Sequence, residues 1–171
     1  MFISGPPGAG KSTVARLVAA KFARSVYIGA DLVRESIVGG FEQPTSPVTD
    51  GFVQQTVLQR EIVIAWAERM ALAGYVPVVE DAPIPDPVEF VRQYRPLWDD
   101  HRTALVMLRP DADEVRRRIV NRAGPFDEFL VGVVDRALEW VDGLDLTGWS
   151  IVDSTGQQPE ETAELVFELV E

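Results

Sequence analysis

The residue pattern with the most chemistry in it stands near the start of the chain. Gly5-Pro6-Pro7-Gly8-Ala9-Gly10-Lys11-Ser12 fits the phosphate-binding loop G-x-x-x-x-G-K-[ST] at every fixed position. Such a loop folds its backbone into a nest whose N–H groups converge on one anion. Its glycines keep Cβ atoms clear of the phosphates. The positive N-terminal end of the helix that follows faces the same anion. Gly5, Gly8, Ala9 and Gly10 supply the loop backbone. Lys11 is expected to reach the β- and γ-phosphates, and the Ser12 hydroxyl to ligate Mg²⁺.

Three further groups could do chemistry with that loop. Asp31 follows the apolar run Ser25-Val26-Tyr27-Ile28, and an acid at the C-terminal end of a parallel strand sits where open α/β sheets bind ligands. It could equally cap the short helix that begins there. Val76-Pro77-Val78-Val79 runs into Glu80-Asp81, the form of a Walker B strand whose acid holds the Mg²⁺ hydration shell. Many buried strands end in an acid, so the preceding loop is what gives this pair weight. Arg116, Arg117, Arg118 and Arg122 crowd one segment, and Arg118 and Arg122, four apart, share a helix face. In an acidic chain that cluster asks for an anion, although Asp113 and Glu114 could pair with part of it. His101 has no partner pattern and is assigned no chemistry.

The elements that must hold these residues alternate along the chain. Strands are expected at Met1–Ser4, Ser25–Ile28, Val76–Val79, Thr103–Leu108 and Ser150–Val152. Helices are expected over Ser12–Ala20, from Asp31 to Ser36, and over Val53–Ala73 with Val53, Val57, Ile64 and Leu72 inward. Asp50 is the expected cap of the long helix, and Trp66 and Met70 are expected in the core. Another helix opens at Asp86-Pro87-Val88-Glu89 and should end before Pro96. The basic helix should end at Gly124-Pro125, with further helices from Phe126 to Leu144 and from Pro159. The loop from Gly39 to Pro47 is rich in turn formers and is the expected wall of an acceptor site.

Composition sets the bounds. A length of 171 residues suits one domain spanning 1–171 with a sizeable core. There is no cysteine, which excludes disulfides, thiolate catalysis and cysteine metal sites. Sixteen basic against 27 acidic residues give a net charge of −11, which disfavours nucleic acid as a partner. No apolar run is long enough to span a membrane and no signal peptide is expected before the first strand, so the expected location is cytoplasmic.

A phosphate-binding loop opening five alternating strands and helices resembles the small nucleoside-monophosphate-kinase-like P-loop kinases. That group includes shikimate and gluconate kinases, chloramphenicol phosphotransferase and the kinase domains of polynucleotide kinases. The resemblance implies an α/β fold of three layers, with a five-stranded parallel sheet in the order 2-3-1-4-5. It implies that Lys11, Ser12 and Thr13 contact phosphate and Mg²⁺, and that Asp31 takes the proton of the acceptor hydroxyl. Asp81 takes the place of the strand-three acid, Arg118 and Arg122 that of arginines near and in a lid. Asp153-Ser154-Thr155-Gly156-Gln157-Gln158-Pro159 resembles the loop that cradles adenine, which brings Thr155 and Gln157 to the nucleotide. There are departures: Glu80-Asp81-Ala82-Pro83 stands where shikimate kinase has Gly-Gly-Gly, and the lid between Asn121 and Leu130 is short.

The expectation is an ATP-dependent kinase that moves the γ-phosphoryl of ATP, with Mg²⁺, to a hydroxyl of a small molecule of the antibiotic, sugar or nucleoside class. Lys11, Asp31 and Arg122 are its expected catalytic residues, Ser12 and Asp81 its metal residues. The guanine-specifying Asn-Lys-x-Asp is absent, which favours ATP over GTP. Two other readings stay open: a regulatory ATPase without an acceptor, and a kinase of polynucleotide 5′-hydroxyls. Oligomeric state is not legible in the sequence.

Overall fold

Strand alternation decides which side chains meet which layer, because neighbouring residues on a strand point to opposite faces. A computed structural model describes residues 1–45, 47–100, 103–122 and 127–169. The expected helix end at Gly124-Pro125, the start at Phe126, Ser46 of the turn-rich loop and His101 lie outside the described residues. Five strands, β1 (Phe2–Ser4), β2 (Ser25–Gly29), β3 (Val76–Asp81), β4 (Leu105–Leu108) and β5 (Trp149–Val152), form one parallel sheet. Their order is β2-β3-β1-β4-β5, the order expected.

The two faces are covered by different helices. Ile3, Val78, Val106 and Leu108 face α1 (Lys11–Ala19) and the last helix, α8 (Pro159–Glu168), packing on Val14, Val18, Ala163 and Val166. Phe2, Ile28 and Val79 point the other way, toward α3 (Asp50–Leu72) and α4 (Pro87–Asp100). A third cluster joins α5 (Ala112–Arg122) to α7 (Val134–Asp142) through Val115, Ile119, Val134 and Leu138. The remaining helices, α2 (Ala30–Glu35) and α6 (Asp127–Gly132), are short. Among the described residues no helix is long and apolar enough to cross a membrane.

Three of the expected helices differ in the structure. Helix α4 runs through Pro96 to Asp100. Phe90, Tyr94 and Trp98 pack edge-to-face around Phe2 at centroid distances of 4.6–5.9 Å, and that packing outweighs the proline. Pro96 itself is exposed, where water can satisfy the carbonyl its ring leaves unbonded. The expected helix from Phe126 to Leu144 is broken at Val133 (φ −110°, ψ 5°), and only the second half buries an apolar face, on α5. Helix α3 is capped by Thr49, whose hydroxyl accepts from the Phe52 amide, rather than by Asp50. Its buried face is Phe52, Thr56, Gln59, Arg60, Val63 and Ala67, while Val53, Trp66 and Leu72 are exposed. Three polar residues on that buried face hide its period from a hydrophobic pattern.

Candidate active site

The loop between β1 and α1 needs its glycines for packing as well as for shape. Gly8 and Gly10 have φ of +82° and +92°, a left-handed backbone that side chains resist. A Cβ at Gly5 would stand 2.5 Å from the Leu108 carbonyl oxygen, and one at Gly8 2.7 Å from Ile119 Cγ1. These two glycines are therefore held by β4 and α5. Ala9 is fully buried in the first core cluster, and its carbonyl accepts from Arg118 Nη1 at 2.9 Å. Lys11 is buried and donates from Nζ to the Pro6 carbonyl at 3.1 Å, keeping its charge inside the loop. Ser12 and Thr13 are exposed at the helix start.

Glu80 and Asp81 are split by the pleat. Glu80 shares the parity of Val78 and points to the α1 side, where Ser12 Oγ donates to its Oε1 at 2.9 Å. Asp81 shares the parity of Val79 and points to the α3–α4 side. Its Oδ2 accepts from Arg60 Nε at 3.0 Å and from the Tyr94 hydroxyl at 3.1 Å, and its Oδ1 from the Ala82 amide at 2.8 Å. Asp81, the acid expected to serve a metal beside Ser12, thus points away from Ser12. Both Asp81 oxygens are committed elsewhere, and Glu80 is the acid at Ser12. Burial pushes the Asp81 carboxyl up to about 6 even though the Arg60 guanidinium pulls it down. Arg60 is itself buried and also donates to Gln93 Oε1 and to the Ala82 and Ile84 carbonyls, tying α3, β3 and α4 together.

The arginine segment has the same mixed character. Arg118 donates to Glu114, to the Ala9 carbonyl, and to the Ser154 hydroxyl and carbonyl, so it straps the phosphate loop to the β5–α8 turn. Arg117 grips Glu114 with two hydrogen bonds, and together the two guanidiniums hold that carboxyl down to about 2. Arg122 is half exposed and pairs with Asp127 at 2.8 Å. In the β5–α8 turn, Gln157 accepts from the Thr162 hydroxyl. Thr155 Oγ1 accepts from the Asp111 amide instead.

One cavity of about 1130 Å³ joins these parts. Lys11, Arg117, Arg118, Arg122 and Gln157 line it together with the phosphate loop; Thr155 does not line it. Asp31, Glu35, Glu80 and Asp81 line it as well, as do Ile37 just past α2 and Phe41, Phe52 and Ile84 from the turn-rich loop, α3 and the β3–α4 turn. Asp31 reaches it from the first turn of α2, largely exposed, with Arg34 Nη2 at 3.6 Å. The Arg34 guanidinium lies between the Phe41 and Phe52 rings and donates to the Glu42 carbonyl.

Residues 1–144 match the family model described as an AAA domain. The chain belongs to that family. No curated protein matches it. Among solved structures, this AAA domain is similar to a sugar kinase from Janibacter sp. HTCC2649 (19% identity, TM-score 0.66, 99% of this chain and 92% of that chain covered). It is similar to the tunicamycin resistance protein of Deinococcus radiodurans (17%, TM-score 0.67, 99% and 94%). A third is the shikimate kinase of Acinetobacter baumannii, solved with shikimate (16%, TM-score 0.65, 99% and 90%). At these identities the likeness establishes a shared fold, that of the small P-loop kinases.

Two residues at the site carry no motif signal, and strand parity is what finds them. On β2, Tyr27 pairs in register with Val78 and Gly29 with Glu80, so both lie on the face that meets α1. The Tyr27 hydroxyl donates to Glu80 Oε1 at 2.9 Å. The donor set at Ser12 and Glu80 suits a hard, oxygen-seeking cation. Among the described residues no cluster of three or more acidic, histidine or cysteine side chains could hold a metal without a nucleotide's oxygens.

Proposed function

We propose that this AAA domain is an ATP-dependent phosphotransferase that acts on a hydroxyl of a small molecule. The observation that carries the reading is the single cavity with the phosphate loop and its basic residues along one part and Asp31 on another. The kinases that share the fold support it.

ATP is placed with its phosphates on the loop amides and Lys11, and its base toward Gln157. Ser12 and Glu80, which meet on the α1 side of the sheet, would hold Mg²⁺, directly or through its water. When bound, Mg²⁺ neutralises charge on the phosphate oxygens. Asp31 orients the acceptor hydroxyl and takes its proton as the acceptor oxygen attacks the γ-phosphorus. The bond from that phosphorus to the ADP oxygen breaks, and ADP leaves with the electron pair. Arg118 is fixed by four hydrogen bonds and holds the loop in shape; Arg122, the more exposed, offers charge to the transferring group. Asp81 and Arg60 form the buried support behind this wall.

The test is ADP release from ATP with and without a panel of neutral antibiotics, sugars and nucleosides, with products weighed by mass spectrometry. A many-fold rise in ADP confined to certain acceptors, each gaining one phosphoryl group, supports the reading. ATP turnover indifferent to every acceptor favours the regulatory ATPase.

A further inference from the structure

Two hydroxyl donors converge on a single oxygen of Glu80. Ser12 Oγ and the Tyr27 hydroxyl each lie 2.9 Å from Glu80 Oε1. No described hydrogen bond engages Oε2, and Glu80 lines the cavity. The tyrosine reaches that oxygen only because position 29 is glycine. A Cβ there would stand 2.3 Å from the Tyr27 hydroxyl and 3.0 Å from Glu80 Oε1. Gly29 has φ −86° and ψ 125°, ordinary extended backbone that any residue adopts, so space is what this glycine provides. The other side of the ring is held by the Arg16 guanidinium, 3.9 Å from its centroid. Arg16 is one helical turn beyond Ser12, so the same face of α1 that meets Glu80 also covers the tyrosine.

We propose that Tyr27 is a positioning residue for the metal-associated acid: it pins Glu80 Oε1 and turns Oε2 toward the Mg²⁺ shell of bound nucleotide, in a slot kept open by Gly29. The proposal rests on the assignment of Glu80 made above. A carboxylate with one free oxygen could swing between Ser12 and solvent; two donors on Oε1 fix its plane before the metal arrives. Partners of this kind, one step removed from a metal, orient the group that serves it. A tyrosine needed only for packing would lose little on becoming phenylalanine.

The experiment titrates Mn²⁺ into the protein saturated with ADP and follows the free-ion signal by electron paramagnetic resonance. Wild type, Tyr27→Phe, Gly29→Ala and Glu80→Gln are compared, with metal-free ADP affinity and thermal unfolding measured alongside. Tyr27→Phe is expected to weaken Mn²⁺ binding roughly 10-fold or more while leaving metal-free ADP affinity unchanged. Gly29→Ala keeps the hydroxyl but displaces it, and is expected to move Mn²⁺ affinity the same way; it carries the test if Tyr27→Phe does not fold. Wild-type Mn²⁺ affinity in Tyr27→Phe beside a weakened Glu80→Gln overturns the positioning role alone. Wild-type affinity in Glu80→Gln overturns the assignment of Glu80, and the role of Tyr27 with it.

Discussion

Ser12 and Glu80 meet at 2.9 Å although 68 residues separate them, and this contact joins the phosphate loop to the third strand. The Ser12 hydroxyl donates its proton there. The neighbouring acid, Asp81, has turned to the opposite face of the sheet and into a buried network.

The division of labour between these two acids is the first expectation. Glu80→Gln should raise the Mg²⁺ concentration needed for half-maximal activity and leave the unfolding temperature close to wild type. Asp81→Ala removes one partner of a buried ion pair and should cost about 3–5 kcal/mol of stability. Thermal unfolding and Mg²⁺ titration of both variants check this. A stable Asp81→Ala protein with a large Mg²⁺ defect would return the metal role to Asp81.

Gly5 tests whether the loop is shaped by its packing. Gly5→Ala places a methyl group 2.5 Å from the Leu108 carbonyl, and overpacking of this kind costs about 1–3 kcal/mol. The unfolding temperature should therefore fall even with no nucleotide present. A variant as stable as wild type that had lost only ATP affinity would assign Gly5 to the phosphates alone.

Glu114 gives the protein an acid limb to its stability. Arg117 and Arg118 hold its carboxyl down to about 2, against an ordinary value of 4.5. A depressed carboxylate contributes stability that is present above the ordinary value and is lost as pH falls toward 2. Glu114→Gln should be less stable than wild type at neutral pH, and the gap should close as pH falls from about 4.5 to about 2. Unfolding temperatures across that range decide it, and a gap independent of pH would contradict the pairing.

Most element positions were legible because apolar runs and turn residues alternate plainly along the chain, while the sheet order followed only from the resemblance to the small P-loop kinases. The phosphate loop was legible because its chemistry needs fixed residues at fixed spacing. The pair Glu80-Asp81 was legible as a place, but not the face of the sheet that each acid takes. Adjacent residues on a strand serve opposite faces, and Val78 against Val79 could have told which acid faces α1. Arg60 was passed over because a buried arginine inside a helix breaks the apolar period that marks a buried face. Pro96 misled for the converse reason: a local rule yielded to an aromatic cluster that forms only when Phe2 of β1 meets α4. Tyr27 and Gly29 follow no motif, and only the register of β2 on β3 brings them to Glu80.

The most direct measurement concerns Asp31. With ATP labelled at the γ-phosphate, the label should appear in a small hydroxylated acceptor. Asp31→Asn should bind Mg²⁺ and ATP as wild type does and transfer the label roughly 10²- to 10⁴-fold more slowly, the usual worth of a positioned general base. Transfer at the wild-type rate in Asp31→Asn would contradict the account, as would label found only in inorganic phosphate or at the 5′ end of an oligonucleotide.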